Sequence, residues 1–164
     1  ARTINRAVLE HLDLIEASDA QFIWQTGKYY HQSILDEMKG KELPNLTIMD
    51  FIGDMGAAYK AADLVISRAG ASSISEFQLI GKPVILVPSP NVAEDHQTKN
   101  AMALVNKGAA LLVKDVEAPE TLLQLAVKTV TDEQKLADLS KNVKRMGLHD
   151  SADVIAEEVM KLIK

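Results

Sequence analysis

The residues from Ser67 to Glu76, Ser-Arg-Ala-Gly-Ala-Ser-Ser-Ile-Ser-Glu, are the part of this 164-residue sequence best suited to chemistry. They follow an apolar strand pattern and open a helix expected from about Ser73 to Ile80, and their small residues let a backbone approach a ligand closely. Free amides and the helix dipole then converge, which predicts an anion site. Hydroxyls at Ser72 and Ser73 could donate to a phosphate, while Glu76 could accept two hydrogen bonds from a ribose diol.

The same residues have a purely structural alternative. Ser73-Ile74-Ser75-Glu76 fits the S-x-x-E capping box, in which the Ser and Glu side chains only satisfy backbone donors of the helix. Gly70 would then serve only to permit a tight turn. Capping boxes are common, so spacing alone favours the cap, and both interpretations stay open.

A second polar segment lies further along the chain. Pro88 and Pro90 fix an extended exit from a predicted strand, and Gln97 and Asn100 share one face at the start of the next helix. Carboxamides suit sugar hydroxyls because each offers donors and an acceptor without the cost of burying a charge. The structural alternative is a solvated helix start capped by Asp95.

The turn Phe51-Ile52-Gly53-Asp54-Met55 follows a third predicted strand. A uracil ring could lie against Phe51 or Met55 while the main chain of Ile52 contacts its polar edge, as in other apolar slots that hold a flat ligand. The segment also fits a simple turn in which Asp54 caps the next helix and the apolar side chains belong to the core.

Composition argues against several other functions. The 18 Lys and Arg residues are scattered among 23 Asp and Glu, a net charge of −5, so no basic face for nucleic acid is predicted. There is no cysteine, which excludes disulfides and thiolate metal sites. His96 has carboxylates only as adjacent residues, whose side chains diverge on a helix, and no Asp-x-Asp pair occurs, so neither a metal nor a cofactor is predicted. No apolar run approaches the roughly 18 residues of a membrane-spanning helix.

Short apolar runs alternate with helical patterns along the chain, which indicates right-handed βαβ units and a parallel sheet covered on both faces. The predicted class is a doubly wound, Rossmann-like α/β fold in one domain, residues 1–164. Ligands bind at the carboxyl ends of the strands in such folds, so the three segments above are expected to meet there. The predicted strands are 20–25, 46–49, 64–66, 84–87 and 109–113, and the predicted helices are 4–15, 30–38, 55–61, 73–80, 95–106 and 121–164.

Taken in order, these segments resemble the carboxyl-terminal domain of the MurG family of UDP-N-acetylglucosamine transferases over nearly the whole chain. Residues 1–5 resemble the stretch directly after that family's glycine-rich loop. Residues 50–59 resemble its uracil-binding turn, residues 62–76 its diphosphate and ribose motif, and residues 95–100 its sugar-binding motif. Each motif is weak alone, whereas the ordered set is specific.

The resemblance implies a role for each motif. The backbone of Ile52 would contact uracil, and Glu76 would hold the ribose hydroxyls. The diphosphate would rest on the amides of Ala71 and Ser72 and on the Ser73 hydroxyl, and the two carboxamides of the sugar motif would bind N-acetylglucosamine. The expected donor site comprises Phe51, Ile52, Met55, Gly70, Ala71, Ser72, Ser73, Ile74, Ser75, Glu76, Gln97 and Asn100.

The implied reaction is inverting transfer of N-acetylglucosamine to undecaprenyl-pyrophosphoryl-muramyl pentapeptide, without a metal or a covalent intermediate. The start of the helix after Gly70 would stabilise the departing diphosphate. The general base and the acceptor site are expected in an amino-terminal domain, at the cytoplasmic face of the inner membrane. The chain alone is therefore expected to be the inactive donor-binding half of a two-domain GT-B enzyme.

The resemblance further implies that the first strand of the sheet is missing before Ala1, which would open sheet edges to a second copy of the chain. Apolar positions near Ile155, Val159 and Leu162 are expected to be uncovered domain interface. Two alternatives stay open. One is another UDP-sugar enzyme of this architecture, such as a UDP-N-acetylglucosamine 2-epimerase, and the other is a non-catalytic α/β binding module.

Overall fold

A computed structural model describes residues 1–90 and 95–163 of the chain, with side chains as far as Leu148. The apolar positions expected near Ile155, Val159 and Leu162 lie outside the residues whose side chains are described. The strands are β1 (Phe22–Gln25), β2 (Leu46–Met49), β3 (Val65–Ser67), β4 (Val84–Leu86) and β5 (Leu111–Leu112). The helices are α1 (Arg2–Glu10), α2 (Leu12–Ala17), α3 (Lys28–Glu37), α4 (Met55–Ala61), α5 (Ala71–Ile80), α6 (His96–Val105), α7 (Ala118–Val130) and α8 (Glu133–Ile163).

All observed strand pairs are parallel, as the alternation of strands and helices predicts. Strand β1 pairs with β2, and β4 lies between β3 and β5. Within the described part of the chain, β1 and β3 do not pair with each other, so the strands form two hydrogen-bonded groups. One edge of β1 and one edge of β3 therefore have no ladder partner.

Strand β4 separates the two halves of the hydrophobic core. Its residues Val84, Ile85 and Leu86 are completely buried, and successive side chains of a strand point to opposite faces. Ile85 packs in a cluster with α1, α3 and α7, whereas Val84 and Leu86 pack in a cluster with α5, α6 and α8. Helices thus cover both faces of this strand, as in a doubly wound fold.

The single amino-terminal helix expected from the sequence is wrong, because the helix breaks at His11. This residue has φ −131° and ψ 37°, which separates α1 from α2. Its imidazole Nε2 lies 2.7 Å from the carbonyl oxygen of Pro119, at the start of α7. An apolar pattern that continues through both helices does not reveal this long-range contact.

The buried residue Asn5 connects α1 to the end of β1. Its Nδ2 donates to the carbonyl of Thr26 at 2.9 Å, and its Oδ1 accepts from the indole Nε1 of Trp24 at 2.9 Å. Both polar ends of the side chain are therefore satisfied inside the core, as buried amides require. The loop that follows β1 begins from this fixed point.

Helix α8 lies directly against the backbone of α5. A Cβ atom added at Gly147 would meet the carbonyl oxygen and Cβ of Gln78 at 2.9 Å. On the same helix, Ser140 Oγ donates to the carbonyl of Gly81 at 2.6 Å, where α5 ends in a left-handed conformation. The carboxyl-terminal end of α5 is thus held against α8.

We expect Gly147→Ala to lower the free energy of unfolding by about 1–2 kcal/mol, because the clash with Gln78 outweighs the gain in helix propensity. Urea denaturation would measure this difference. Gly56→Ala is the matched control in α4, where the new Cβ would lie 3.6 Å from Asp54 Oδ1, an ordinary contact. That variant should unfold with unchanged free energy, or with one raised by up to about 1 kcal/mol. Equal stability of Gly147→Ala and the original chain would contradict the close approach of α5 and α8.

Candidate functional site

The three polar segments follow the carboxyl ends of strands. Residues 50–54 follow β2, residues 68–70 follow β3, and the segment that begins at Val87 follows β4. Ligands of open parallel α/β folds bind at this edge of the strands. The chemistry-bearing segments therefore lie at the edge where a ligand is expected.

Helix α5 begins at Ala71, two residues before the start expected from the sequence. Gly70 occupies the N-cap position, and no side chain caps the helix. Ser73 consequently lies inside the first turn, whereas a capping box requires its Ser at the N-cap, so the capping-box alternative is wrong. The amides of residues 71–73 donate to no described residue. They are free to bind an anion at the positive end of the helix dipole.

Helix α5 buries one face and leaves Ser73 and Glu76 half-buried on another. Phe77 is completely buried, and the Ile74 side chain lies in the core while its amide donates to the carbonyl of Gly70 at 3.1 Å. Ile74, expected in the donor site, therefore presents no free polar group. Ser72 and Ser75 are exposed at the same end of the helix.

Glu76 faces helix α4. A Cβ atom on Gly56 would lie 3.9 Å from Glu76 Oε1, and the Tyr59 ring meets the Phe77 ring edge-on with centroids 5.0 Å apart. The Glu76 carboxylate accepts no hydrogen bond from any described residue and forms no ion pair with one. A half-buried carboxylate without a partner is costly in a folded protein, so this group is available to hydroxyl donors of a ligand.

Tyr59 is a neighbour of this carboxylate that the sequence did not indicate. Burial raises the pKa of the Tyr59 phenol, the negative charge of Glu76 raises it further, and a hydrogen bond with Ser73 acts in the opposite direction. The phenol therefore stays protonated at neutral pH. Its position in α4 links the turn at residues 50–54 to the face of α5 that carries Ser73.

Two hydrogen bonds fix the turn after β2: one caps helix α4, and the other satisfies the amide of Ile52. Asp54 Oδ1 accepts from the Ala57 amide at 3.0 Å, which confirms Asp54 as the cap of α4. The Ile52 amide donates to Gln25 Oε1 at 2.9 Å, a contact between β1 and the turn that the sequence did not predict. The Ile52 carbonyl accepts from no described residue. Of the two backbone polar groups of Ile52, the carbonyl is therefore the one that is free for a ligand.

Apolar side chains flank the same turn. Phe51 is 58% exposed, and the Lys28 ammonium lies 5.7 Å from the centroid of its ring. Met55 is half-buried at the start of α4. Phe51 is therefore a surface ring and not a core residue, contrary to the alternative in which both apolar side chains pack inside.

Arg68 ties together the ends of several elements. Its guanidinium donates to Asp115 Oδ1 at 2.5 Å and to the carbonyl of Val87 at 3.2 Å. The second oxygen of Asp115 accepts from the Thr3 hydroxyl at 3.2 Å, at the start of α1. The exposed fractions of the Arg68 and Asp115 side chains are only 25% and 22%. The single cation among small residues at 67–76 was the only sign of this ion pair in the sequence.

Gln97 and Asn100 lie together beside residue 69, as their spacing on one helix face predicts. Gln97 Oε1 accepts from the amides of Ala69 at 3.2 Å and Ser89 at 2.8 Å. Asn100 Nδ2 donates to the carbonyl of Ala69 at 3.2 Å. The solvated helix start is therefore wrong for these residues, although Gln97 Nε2 and Asn100 Oδ1 form no hydrogen bond with a described residue.

Asp95 occupies the N-cap position of α6 but does not cap it in the expected way. Its φ is 55°, in the left-handed region, and no helix amide donates to its carboxylate. The Thr98 hydroxyl donates to Asp95 Oδ1 at 2.7 Å instead. Glu94, the other acidic neighbour of His96, lies outside the described residues.

The described residues contain neither a metal-binding cluster nor a membrane-spanning helix. No three His, Asp or Glu side chains of residues 1–90 and 95–148 lie together as ligands of a metal ion would. No helix of the described part of the chain has the length and apolar character needed to cross a membrane.

The chain is similar in sequence and in fold to known proteins. The family described as the glycosyltransferase family 28 C-terminal domain matches residues 1–155. Relatives from Bacteroides fragilis and Phocaeicola vulgatus are 62% and 63% identical over 99% of this chain, which spans 43% of each relative. Both are named UDP-N-acetylglucosamine–N-acetylmuramyl-(pentapeptide) pyrophosphoryl-undecaprenol N-acetylglucosamine transferase.

A crystal structure of Acinetobacter baumannii MurG is 30% identical in sequence to this chain and has a TM-score of 0.70. The match covers 92% of this chain and 46% of the chain in the crystal structure. The likeness confirms the α/β class. The chain spans less than half the length of the relatives that it matches. Because the family match extends over residues 1–155, the chain belongs to the glycosyltransferase family 28 C-terminal domain family.

Proposed function

We propose that residues 1–164 form the carboxyl-terminal, donor-binding domain of a two-domain MurG-type transferase, and that they bind UDP-N-acetylglucosamine. The observation that carries this proposal is the uncapped start of α5, with three amides that donate to no described residue. Beside it lies the half-buried Glu76 carboxylate, which no described residue pairs with. The name of the relatives at 62–63% identity supports the same donor. Their greater length supports a further domain in the whole enzyme.

The diphosphate lies on the first turn of α5 in this proposal. The amides of Ala71 and Ser72 donate to phosphate oxygens, and the Ser73 hydroxyl adds a third donor. Exposed Ser75 lies close by at the edge of this site. Charge-assisted hydrogen bonds of this kind contribute about 1.5–3 kcal/mol each. Gly70 allows the phosphate to come close because it carries no side chain at the helix entry.

The ribose lies against Glu76. The carboxylate accepts hydrogen bonds from both ribose hydroxyls, which replaces the solvent it loses when the nucleotide binds. Gly56 leaves space beside this group, since its position faces Glu76 Oε1 without a side chain.

The uracil ring lies at the turn after β2. Because Gln25 occupies the Ile52 amide, the Ile52 carbonyl is the main-chain group that can accept from the N3–H of the base. Phe51 and Met55 supply apolar surface for the ring. The sugar hydroxyls then contact Gln97 Nε2 and Asn100 Oδ1, the two carboxamide atoms that the Ala69 backbone leaves free.

The whole enzyme transfers N-acetylglucosamine with inversion to undecaprenyl-pyrophosphoryl-muramyl pentapeptide, at the cytoplasmic face of the inner membrane. The 4-hydroxyl of the muramyl group attacks the anomeric carbon, its proton passes to a base in the amino-terminal domain, and the bond to UDP breaks. The positive end of the α5 dipole stabilises the charge that develops on the departing diphosphate. This domain therefore contributes donor binding and leaving-group stabilisation without a metal.

A second copy of the chain is a further proposed partner. The free edges of β1 and β3 offer unpaired backbone groups, and Ile23 on β1 is 57% exposed. We expect sedimentation of the chain alone to show a dimer that dissociates on dilution. A monomer at all concentrations would contradict this part of the proposal.

We expect Glu76→Ala to weaken UDP binding by roughly 30-fold, because two hydrogen bonds from the ribose to a carboxylate are lost. Calorimetric titration with UDP and 2′-deoxy-UDP would measure it. The original chain should bind UDP at least about tenfold more tightly than 2′-deoxy-UDP, and the variant should not distinguish them. Leu79→Ala, at a position of the same helix that is 78% exposed, is the control and should bind both ligands as the original chain does. An unchanged affinity of Glu76→Ala for UDP would contradict the ribose contact.

We expect the chain alone to bind UDP and to form no product from UDP-N-acetylglucosamine. When it is joined to the amino-terminal domain of a 62%-identical relative, the fusion should transfer the sugar only if the lipid-linked acceptor is present. Product analysis would separate this reaction from 2-epimerisation, which needs no acceptor. Formation of the 2-epimer would support the alternative enzyme and overturn the transferase proposal. If the chain does not bind UDP, the remaining alternative is a non-catalytic α/β binding module.

A further inference from the structure

We infer that Gln97 and Asn100 have a positioning role that is distinct from contact with a sugar: they hold the backbone of Ala69 and thereby fix the phosphate-binding start of α5. The phosphate part of this inference rests on the proposed function, whereas the backbone geometry does not. The role makes both residues necessary for binding of UDP itself, which has no sugar for their free atoms to contact.

Ala69 is held at both of its backbone polar groups. Its amide donates to Gln97 Oε1 at 3.2 Å, and its carbonyl accepts from Asn100 Nδ2 at 3.2 Å. The residue is completely buried, between the end of β3 and the start of α5, where no strand ladder reaches it. Because a buried backbone group without a partner is costly, the two carboxamides are required for this loop conformation.

Gln97 also joins two loops through one atom. Its Oε1 accepts from the amide of Ser89 at 2.8 Å as well as from Ala69, so the loop after β4 and the loop after β3 meet at this oxygen. Arg68, the residue before Ala69, is held as well: its guanidinium donates to the carbonyl of Val87 and to Asp115. The loop therefore has no freedom to shift without breaking one of these contacts.

The first free amide of α5 is only two residues from Ala69. A displacement of Ala69 would carry Gly70 and the amide of Ala71 with it, since the intervening chain is short and extended. Placement of donors within a fraction of an ångström determines how well they stabilise an anion. The carboxamide oxygen of Gln97 thus acts on the phosphate site through the backbone, while its nitrogen is left to contact a sugar.

Two substitutions of Gln97 distinguish the role of its carboxamide oxygen from the role of its carboxamide nitrogen. Gln97→Glu keeps an oxygen that can accept from Ala69 and Ser89 but removes the nitrogen donor. Gln97→Leu keeps the approximate size and removes both functions. Asn106→Ala, which removes an exposed carboxamide at the other end of α6, is the matched control.

The first measurement is calorimetric titration of the whole chain with UDP at high salt, where the added charge of Gln97→Glu is screened. We expect Gln97→Leu to bind UDP at least about tenfold more weakly than the original chain, Gln97→Glu to recover part of that loss, and the control Asn106→Ala to stay within about threefold of the original chain. If Gln97→Leu binds UDP normally and loses affinity only for UDP-N-acetylglucosamine, the residue is a sugar contact alone and the positioning role is overturned.

The second measurement, amide hydrogen exchange by NMR, needs no ligand. We expect the protection of the Ala69 and Ser89 amides to fall at least about tenfold in Gln97→Leu and to persist in Gln97→Glu, at equal free energies of unfolding. Unchanged protection in Gln97→Leu would overturn the inference even if UDP binds. If UDP binds to none of the proteins but protection falls as expected, the positioning of Ala69 stands and the proposed nucleotide site fails.

Discussion

The backbone of Ala69 is completely buried at a point where neither a strand nor a helix supplies its hydrogen bonds. Polar groups in such a place must be satisfied by side chains, because leaving them unpaired costs about 1–3 kcal/mol each. Gln97 and Asn100 meet this requirement from α6, and Arg68 fixes the adjoining peptide against the ends of β4 and β5. The start of α5 is therefore joined to α6 by polar contacts with one short loop, in addition to the apolar cluster that both helices share.

The candidate anion site offers neutral dipoles and no free positive charge from Arg68. Arg68 is paired with Asp115 at 2.5 Å, and its remaining bonds go to main-chain carbonyls, so its charge is already compensated. The groups at the candidate site that no described residue binds are the amides of residues 71–73. Dipoles that are fixed before the ligand arrives need no reorganisation when charge develops on it, which is the condition for efficient electrostatic stabilisation. In the proposed reaction, a well-held helix start thus performs the task that a metal ion performs elsewhere.

The sequence predicted the features that depend on local patterns. The bounds of β2 and α4 and the Asp54 cap follow from neighbouring residues, and they are confirmed. The predicted start of α5 at Ser73 and the predicted single helix through His11 were wrong. A capping motif and an apolar repeat carry no information about contacts with distant parts of the chain, such as the contact of His11 with Pro119. For the same reason, the sequence did not predict the hydrogen bond from the Ile52 amide to Gln25, which joins residues 27 positions apart. Candidate site residues could thus be identified by type, whereas which of their atoms remain free could not.

The parts of the candidate site are held by different contacts. Packing of α4 on α5, where the Tyr59 ring meets Phe77, sets the distance between the turn at Ile52 and the Glu76 carboxylate. The carboxamides of α6 instead set the position of the loop at residue 69. In the proposed complex, the base and ribose positions therefore depend on the packing of α4 on α5 and on the bond from the Ile52 amide to Gln25. The phosphate and sugar positions depend most directly on the hydrogen bonds at residue 69. Hydrogen bonds weaken steeply when their length or angle changes, so in the proposed complex loosening of α6 would act first on the loop at residue 69 and thus on the phosphate and sugar ends of the donor.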